Sequence, residues 1–242
     1  MAESQHSMDT GVTVNLTLKM RRPLGGLVEQ LLFVPDRPVT YQAGQYLELL
    51  LPDQAGLYFT IANAPGSDIE LHVEAGPENA GARALLTRID NETTIAARVG
   101  EGDCHVGKLA PDDSPVLLLA SGTGFSQIKA VTEALLVNSA RPVHIYWAAR
   151  TAAALYMADM AQSWADTHEQ VHFTAVISER QTWNSGKHHL HSCIREDLGD
   201  LGAYSAICCG SPDMVYASLD YLSACGLKQE RFFSDMLAFA PR

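Results

Sequence analysis

Among the 242 residues no apolar run approaches the roughly 20 that cross a bilayer. Met1 to Thr10 is polar, where a secretory signal is basic and then apolar, so a cytoplasmic protein with no membrane partner is expected. Basic clusters are missing as well. Against 28 Asp and Glu stand only 17 Lys and Arg, a formal net charge of -11, and the cationic footprint that nucleic-acid phosphates require is absent. There is no CxxC pair: Cys104, Cys193, Cys208, Cys209 and Cys225 are an odd number with neither metal nor disulfide spacing, and free thiols are expected. His188, His189 and His191 lie close together but lack a thiolate or HExxH partner, so no metal site is expected and the cluster reads as a solvated polar turn leading into a helix. No internal repeat or low-complexity tract occurs. What remains is ordinary globular composition, 47% hydrophobic and 19% charged, in a chain long enough for one large or two modest domains.

The patterning favours two. Up to Asp112 it is that of strands, beginning with the period-two alternation of Val12 to Leu18. Further strands are predicted at Leu27 to Val34, Tyr46 to Leu51, Leu57 to Ala62, Ile69 to Glu74 and Thr94 to Val99. One helix, Asn79 to Ile89, presents Ala84, Leu85 and Ile89 on one side. Six short strands at this spacing predict a small antiparallel β-barrel. Pro111-Asp112-Asp113-Ser114-Pro115 has the composition of a connector. Beyond it apolar runs alternate with helical patterns: Val116 to Ala120 then Gln127 to Val137, Val143 to Ala149 then Ala152 to Trp164, Val171 to Val176 then about His189 to Leu198, Tyr204 to Cys209 then Pro212 to Ala224. That alternation predicts a doubly wound parallel α/β sheet, giving a barrel domain over 1–112 and an α/β domain over 113–242.

Two turns in the second half carry chemistry. Val116 to Ala120 runs into Ser121-Gly122-Thr123-Gly124-Phe125, where two glycines let the backbone turn tightly and leave N–H groups at a helix start open to a pyrophosphate. Alone, such a turn also suits any parallel α/β protein. Cys208-Cys209-Gly210-Ser211-Pro212 repeats the logic, with Ser211 placed to cap a helix and Pro212 at its first position. Both turns fall at the carboxyl edge of the predicted sheet, where open α/β sheets bind ligands.

These turns, together with Gly44-Gln45-Tyr46, Tyr58-Phe59-Thr60, Ile145-Tyr146-Trp147-Ala148-Ala149-Arg150, Cys209-Gly210-Ser211-Pro212-Asp213-Met214 and the closing Phe233-Ser234-Asp235-Met236-Leu237-Ala238-Phe239, resemble the ferredoxin-NADP reductase superfamily. Within it the chain is most similar to small bacterial NAD(P)H:flavin oxidoreductases, from about residue 12 to 240 and in the family's order and spacing. The resemblance implies a barrel that holds an isoalloxazine ring, a second domain that presents NADH or NADPH, and an active site between them. Tyr58, Phe59, Thr60 and Ile61, with backbone groups of His72, Val73 and Glu74, would meet the flavin, which is FMN, FAD or riboflavin. Gly122, Thr123, Gly124, Phe125, Arg150, Cys209, Gly210, Ser211 and Pro212 would meet the nucleotide, although Arg150 also suits a solvated helix start. Thr60, Cys209 and Asp235 would face the reaction centre, Thr60 orienting rather than reacting; Cys209 and Asp235 equally suit structural roles.

One departure stands out. Where the family has arginine two residues before the aromatic, this chain has Leu57. Without that charge-assisted contact to flavin phosphate or ribityl oxygens, flavin would be held roughly ten- to a hundredfold more weakly. The leading expectation is a reductase that passes free reduced flavin to another enzyme or to iron. The alternatives are an electron-transfer component serving a separate redox protein, and a non-catalytic nucleotide-binding descendant.

Overall fold

The computed structural model describes residues 12–52, 55–178 and 189–242. The first six strands, β1 (Val12–Gly25), β2 (Val28–Pro35), β3 (Tyr46–Leu50), β4 (Leu57–Thr60), β5 (Ile69–Glu74) and β6 (Thr94–Glu101), form one antiparallel sheet in the order β4-β3-β6-β1-β2-β5. The sheet curls into a half-open barrel. Just past β4, the Ala62 N–H donates to the carbonyl of Glu70 on β5 at 2.7 Å and joins the two terminal strands at one end. Inward-facing Leu16, Phe33, Leu47, Leu71 and Ala97 build its core, as period-two alternation requires.

Strand β1 runs seven residues past the predicted Leu18, through a bulge between Leu18 and Met20. That extension carries Lys19, Arg21 and Arg22 and is mostly exposed, so no apolar alternation marks it; cross-strand partners such as the Arg21–Glu29 ion pair hold it instead. Helix α1 (Ala80–Ile89) is capped by Asn79, whose side chain accepts from the Ala82 N–H at 3.0 Å. It buries Ala82, Leu85, Leu86 and Ile89 against the barrel core, whereas Ala84 points to solvent.

The second sheet is wholly parallel. Strands β7 (Val116–Ser121), β8 (Val143–Ala149), β9 (Val171–Ile177), β10 (Ser205–Cys209) and β11 (Phe232–Phe233) lie in the order β11-β10-β7-β8-β9. Val116, Leu118 and Ala120 face one layer, with α2 (Phe125–Asn138) and α3 (Ala158–Thr167). Leu117 and Leu119 face the other, with α4 (His189–Leu198) and α5 (Pro212–Ala224). Burial on both faces explains why these strands read as continuous apolar runs.

Three details differ from expectation. The predicted helix Ala152 to Trp164 is divided into a 3-10 turn at Ala152–Ala154 and α3, because buried Leu155 breaks the helical path. The two-residue β11 is too short to show a period. His191 is not solvated: it is buried, hydrogen-bonded through Nε2 to Ser218 Oγ at 3.0 Å and stacked on Tyr221. His189 is exposed at the start of α4, and His188 lies outside the described residues.

Candidate functional site

The chain leaves β7 toward β8 on one side, while β10 lies on the other, so the sheet changes direction beside β7. A crevice opens there at the carboxyl ends of the strands. It is a cleft of about 870 Å³ between the sheet and the barrel.

The floor is made by the two glycine turns, which interlock. Gly122 takes φ +52 with no atom within 4 Å of where a Cβ would sit, so its backbone faces open space. A Cβ on Gly124 would lie 2.1 Å from the carbonyl oxygen of Cys209, which only glycine avoids. Gly122, Thr123, Gly124, Cys209, Gly210 and Ser211 all line the cleft, and the exposed Arg150 lies at its rim after β8. Ser211 caps α5, its Oγ accepting from the Met214 N–H at 3.4 Å, with Pro212 at the first helical position. Phe125 does not face the cleft. It stacks on Trp147 with ring centroids 3.8 Å apart, and Trp147 Nε1 donates to the carbonyl of Gly122 at 3.0 Å, so this pair supports the turn from below.

The barrel supplies the opposite wall. Tyr58, Phe59 and Thr60 on β4 and His72 and Glu74 on β5 line the cleft. Ile61 and Val73 are fully buried in the barrel core and offer only backbone. Thr60 also lines an adjoining apolar recess of about 300 Å³ with Cys209 and Asp235, so the three residues expected at the reaction centre meet in one place. At the outer mouth Tyr46, Tyr58 and Phe239, the last on α6 (Met236–Phe239), hold ring centroids 5.6 to 6.1 Å apart. Leu57 packs half-buried against the first turn of α1: a Cβ on Gly81 would lie 2.9 Å from its Cδ2.

Burial raises the Asp235 carboxyl to about 6, despite hydrogen bonds from Gln127 Nε2 at 2.9 Å and the Cys104 N–H at 3.3 Å that favour its ionised form. Burial, with Asp235 beside it, pushes the Cys209 thiol up to about 12. Cys209 is therefore a neutral thiol at physiological pH, suited to contact and not to nucleophilic attack.

Behind the cleft wall lies a buried ionic network. Lys129 on α2 donates to Glu70 at 2.9 Å, to Glu133 at 2.7 Å and to the carbonyl of Ala62 at 2.9 Å, pinning the α/β half to the barrel. His72 bonds Glu70 through Nε2 at 2.8 Å and the Tyr156 hydroxyl through Nδ1 at 3.0 Å. Desolvation pushes the Glu70 carboxyl up, but His72 and Lys129 more than offset it and hold the group at about 2. Desolvation lowers His72, so its neutral ring donates to the Glu70 carboxylate and accepts from Tyr156. Gln127, Lys129, Glu70 and Tyr156 were not anticipated; only the placement of Gln127 and Lys129 inside the apolar helix pattern after Gly124 hinted that α2 is buried on polar faces too.

Among the described residues no helix is long and apolar enough to cross a membrane, no group of three metal-ligating side chains occurs, and all five cysteines are unpaired.

Residues 118–219 match the oxidoreductase NAD-binding domain. Over 211 residues the chain is 34% identical to the CDP-6-deoxy-L-threo-D-glycero-4-hexulose-3-dehydrase reductase of Yersinia pestis, covering 86% of this chain and 62% of that protein. It is 29% identical over 238 residues to an NAD(P)H-flavin reductase of Vibrio harveyi, covering 94% of this chain and all of the relative. Among solved structures, the Amycolatopsis cytochrome P450 reductase GcoB superposes with a TM-score of 0.80 at 23% identity, over 97% of this chain and 73% of its own. With the barrel, the parallel sheet and the cleft between them, these similarities give the chain a resemblance to the ferredoxin-NADP reductase superfamily and, within it, to NAD(P)H-flavin reductases.

Proposed function

We propose that the protein is an NAD(P)H-dependent flavin reductase, with residues 1–112 binding flavin and 113–242 binding the pyridine nucleotide. The observation that carries this reading is the convergence of Thr60, Cys209 and Asp235, from three different segments, where the barrel wall meets the glycine turns. When bound there, the nicotinamide supplies a hydride from C4 and the flavin accepts it at N5. The residues' task is positioning. The open backbone of Gly122 and the Gly122–Gly124 turn that leads into α2 suit a diphosphate. Thr60 offers a hydroxyl to orient the ring, Cys209 a neutral contact beside the nicotinamide, and Asp235 a carboxyl that can hold a proton near neutral pH. Phe59, His72 and Glu74 flank the flavin side, and Arg150 is placed to meet the adenosine half.

The cleft suits ring and diphosphate better than a flavin phosphate. Position 57, over the first turn of α1, carries leucine, and the guanidinium of Arg83 is committed to the carbonyls of Gly76 and Pro77. We therefore read flavin as a loosely held substrate, reduced and released to a flavin-dependent enzyme or to iron in a cytoplasmic setting. A second reading, an electron-transfer reductase for a protein partner, draws on the dehydrase reductase similarity, in which this chain spans 62% of the relative.

Steady-state oxidation of NADH and of NADPH, with and without riboflavin, FMN or FAD, tests the proposal. Colourless protein that consumes pyridine nucleotide only when flavin is added supports it. Yellow protein that reduces an added redox protein supports the second reading, and no oxidation under any condition overturns both in favour of a non-catalytic binding protein.

A further inference from the structure

Gln127 is 1% exposed and sits on the first turn of α2, where three remote segments meet. Its Nε2 lies 2.7 Å from the carbonyl oxygen of Gly44 in the barrel, 3.0 Å from that of Cys104 after β6, and 2.9 Å from Asp235 Oδ2 near the C-terminal end. An amide nitrogen carries two protons. Three acceptors therefore compete for two N–H groups, two of them neutral carbonyls and the third a titratable carboxyl that lines the recess with Thr60 and Cys209.

We propose that Gln127 is a positioning residue: it aims the Asp235 carboxyl into the recess and, by dividing two protons among three acceptors, ties that aim to the joint between barrel and sheet. The inference rests on the functional reading above only for the importance of Asp235 to turnover; the hydrogen-bond coupling stands apart from it. An ionised Asp235 is the strongest acceptor of the three and draws one N–H to itself. A protonated Asp235 releases that N–H toward the Gly44 and Cys104 carbonyls, tightening the joint. The other groups facing Asp235 do not substitute for this link. They are the Cys104 N–H and Asp103 from the segment after β6, the Cys209 thiol from β10 and the Tyr46 phenol from β3. Of these the Cys104 N–H donates to it at the longer distance of 3.3 Å and the Asp103 backbone also favours its ionised form, while the Gln127 amide is the one side-chain donor among the described residues and the larger influence.

The test reads Asp235 directly, by the pH dependence of its carboxyl carbon resonance in the full chain, assigned by its loss in Asp235→Asn. In Gln127→Leu the midpoint is expected to move upward by about one pH unit, the size of one hydrogen bond to a charged acceptor. An unchanged midpoint in a folded Gln127→Leu overturns the inference. Should that variant not fold, the unsubstituted protein gives the same answer. The side-chain amide resonances of Gln127 should titrate with the midpoint of Asp235 and lose that titration in Asp235→Asn; amide resonances indifferent to pH overturn the inference. The pH profile of pyridine-nucleotide oxidation separates the two claims. If the carboxyl midpoint moves in Gln127→Leu and the profile moves with it, both stand. If only the carboxyl moves, the coupling stands and Asp235 is removed from the reaction.

Discussion

Leu57→Arg restores a cation where the chain carries a leucine, and its effect follows from where that side chain lies. Leu57 pairs with Leu49 across the β3–β4 ladder and reaches over Gly81, the second residue of α1. The first turn of that helix holds no acidic residue, and Asn79 at its cap lines the cleft. A guanidinium at position 57 would stand beside this helix end, where an anionic group is already favoured. One charge-assisted contact contributes about 1.5 to 3 kcal/mol, so the dissociation constant for FMN should fall roughly ten- to a hundredfold, with the apparent flavin Km following. Against this, replacing a half-buried leucine costs on the order of 1 kcal/mol of stability, read as a lower Tm and not as weaker binding. Titration by quenching of flavin fluorescence, with FMN and riboflavin in parallel, is the assay. A gain confined to FMN assigns the contact to the phosphate, and an equal gain for riboflavin assigns it to the ribityl chain. An FMN affinity that is unchanged or weaker in a folded variant refutes the reasoning about the missing arginine.

Three further outcomes are expected. Lys129→Met leaves Glu70 buried without its cation and should destabilise the protein by about 3 to 5 kcal/mol, measured by chemical denaturation. In the unsubstituted protein Glu70, held at about 2, contributes stability that is complete above the ordinary carboxylate range and is lost as pH falls through it toward 2; Lys129→Met should flatten that acid limb. Asp235 has the opposite sign. Its carboxyl is raised to about 6, so the folded state loses stability as pH rises from about 4 to 6, and Asp235→Asn should be the more stable protein by roughly 3 kcal/mol near pH 8 and indistinguishable near pH 4. Thr60→Val keeps shape and removes the hydroxyl, so kcat and kcat/KM should fall together by about tenfold or more with Tm unchanged; a change confined to KM would make Thr60 a binding group only.

Much of this architecture is legible in the residues because each half is built from one period. Val12 to Leu18 alternates as a one-sided barrel strand does, and Val116 to Ala120 is unbroken because both its faces are buried. Where another force dominates, the pattern fails. The second part of β1 is held across to β2 by the Arg21–Glu29 ion pair and the Arg22–Gln30 hydrogen bond and carries no alternating hydrophobic signal. His191 looks like a surface histidine in sequence but fills a polar niche beside Ser218. The same limit divides the site. The glycine turns and Thr60 are visible because their chemistry is local. Phe125 follows the second glycine directly, yet the stack with Trp147, more than twenty residues away in sequence, turns it from the cleft. Gln127 and Lys129 matter chiefly through partners remote in sequence, 23 to 108 residues distant, and no spacing rule marks such pairs.

The most direct test of a shared cleft for two stacked rings is anaerobic single-turnover reduction of FMN by NADH or NADPH, comparing nucleotide carrying hydrogen with nucleotide carrying deuterium at the transferred C4 position. Bleaching of the flavin that depends on the protein and slows with deuterium means that hydride passes directly between rings held in contact. Bleaching no faster than in the protein's absence, with either nucleotide, contradicts the shared cleft.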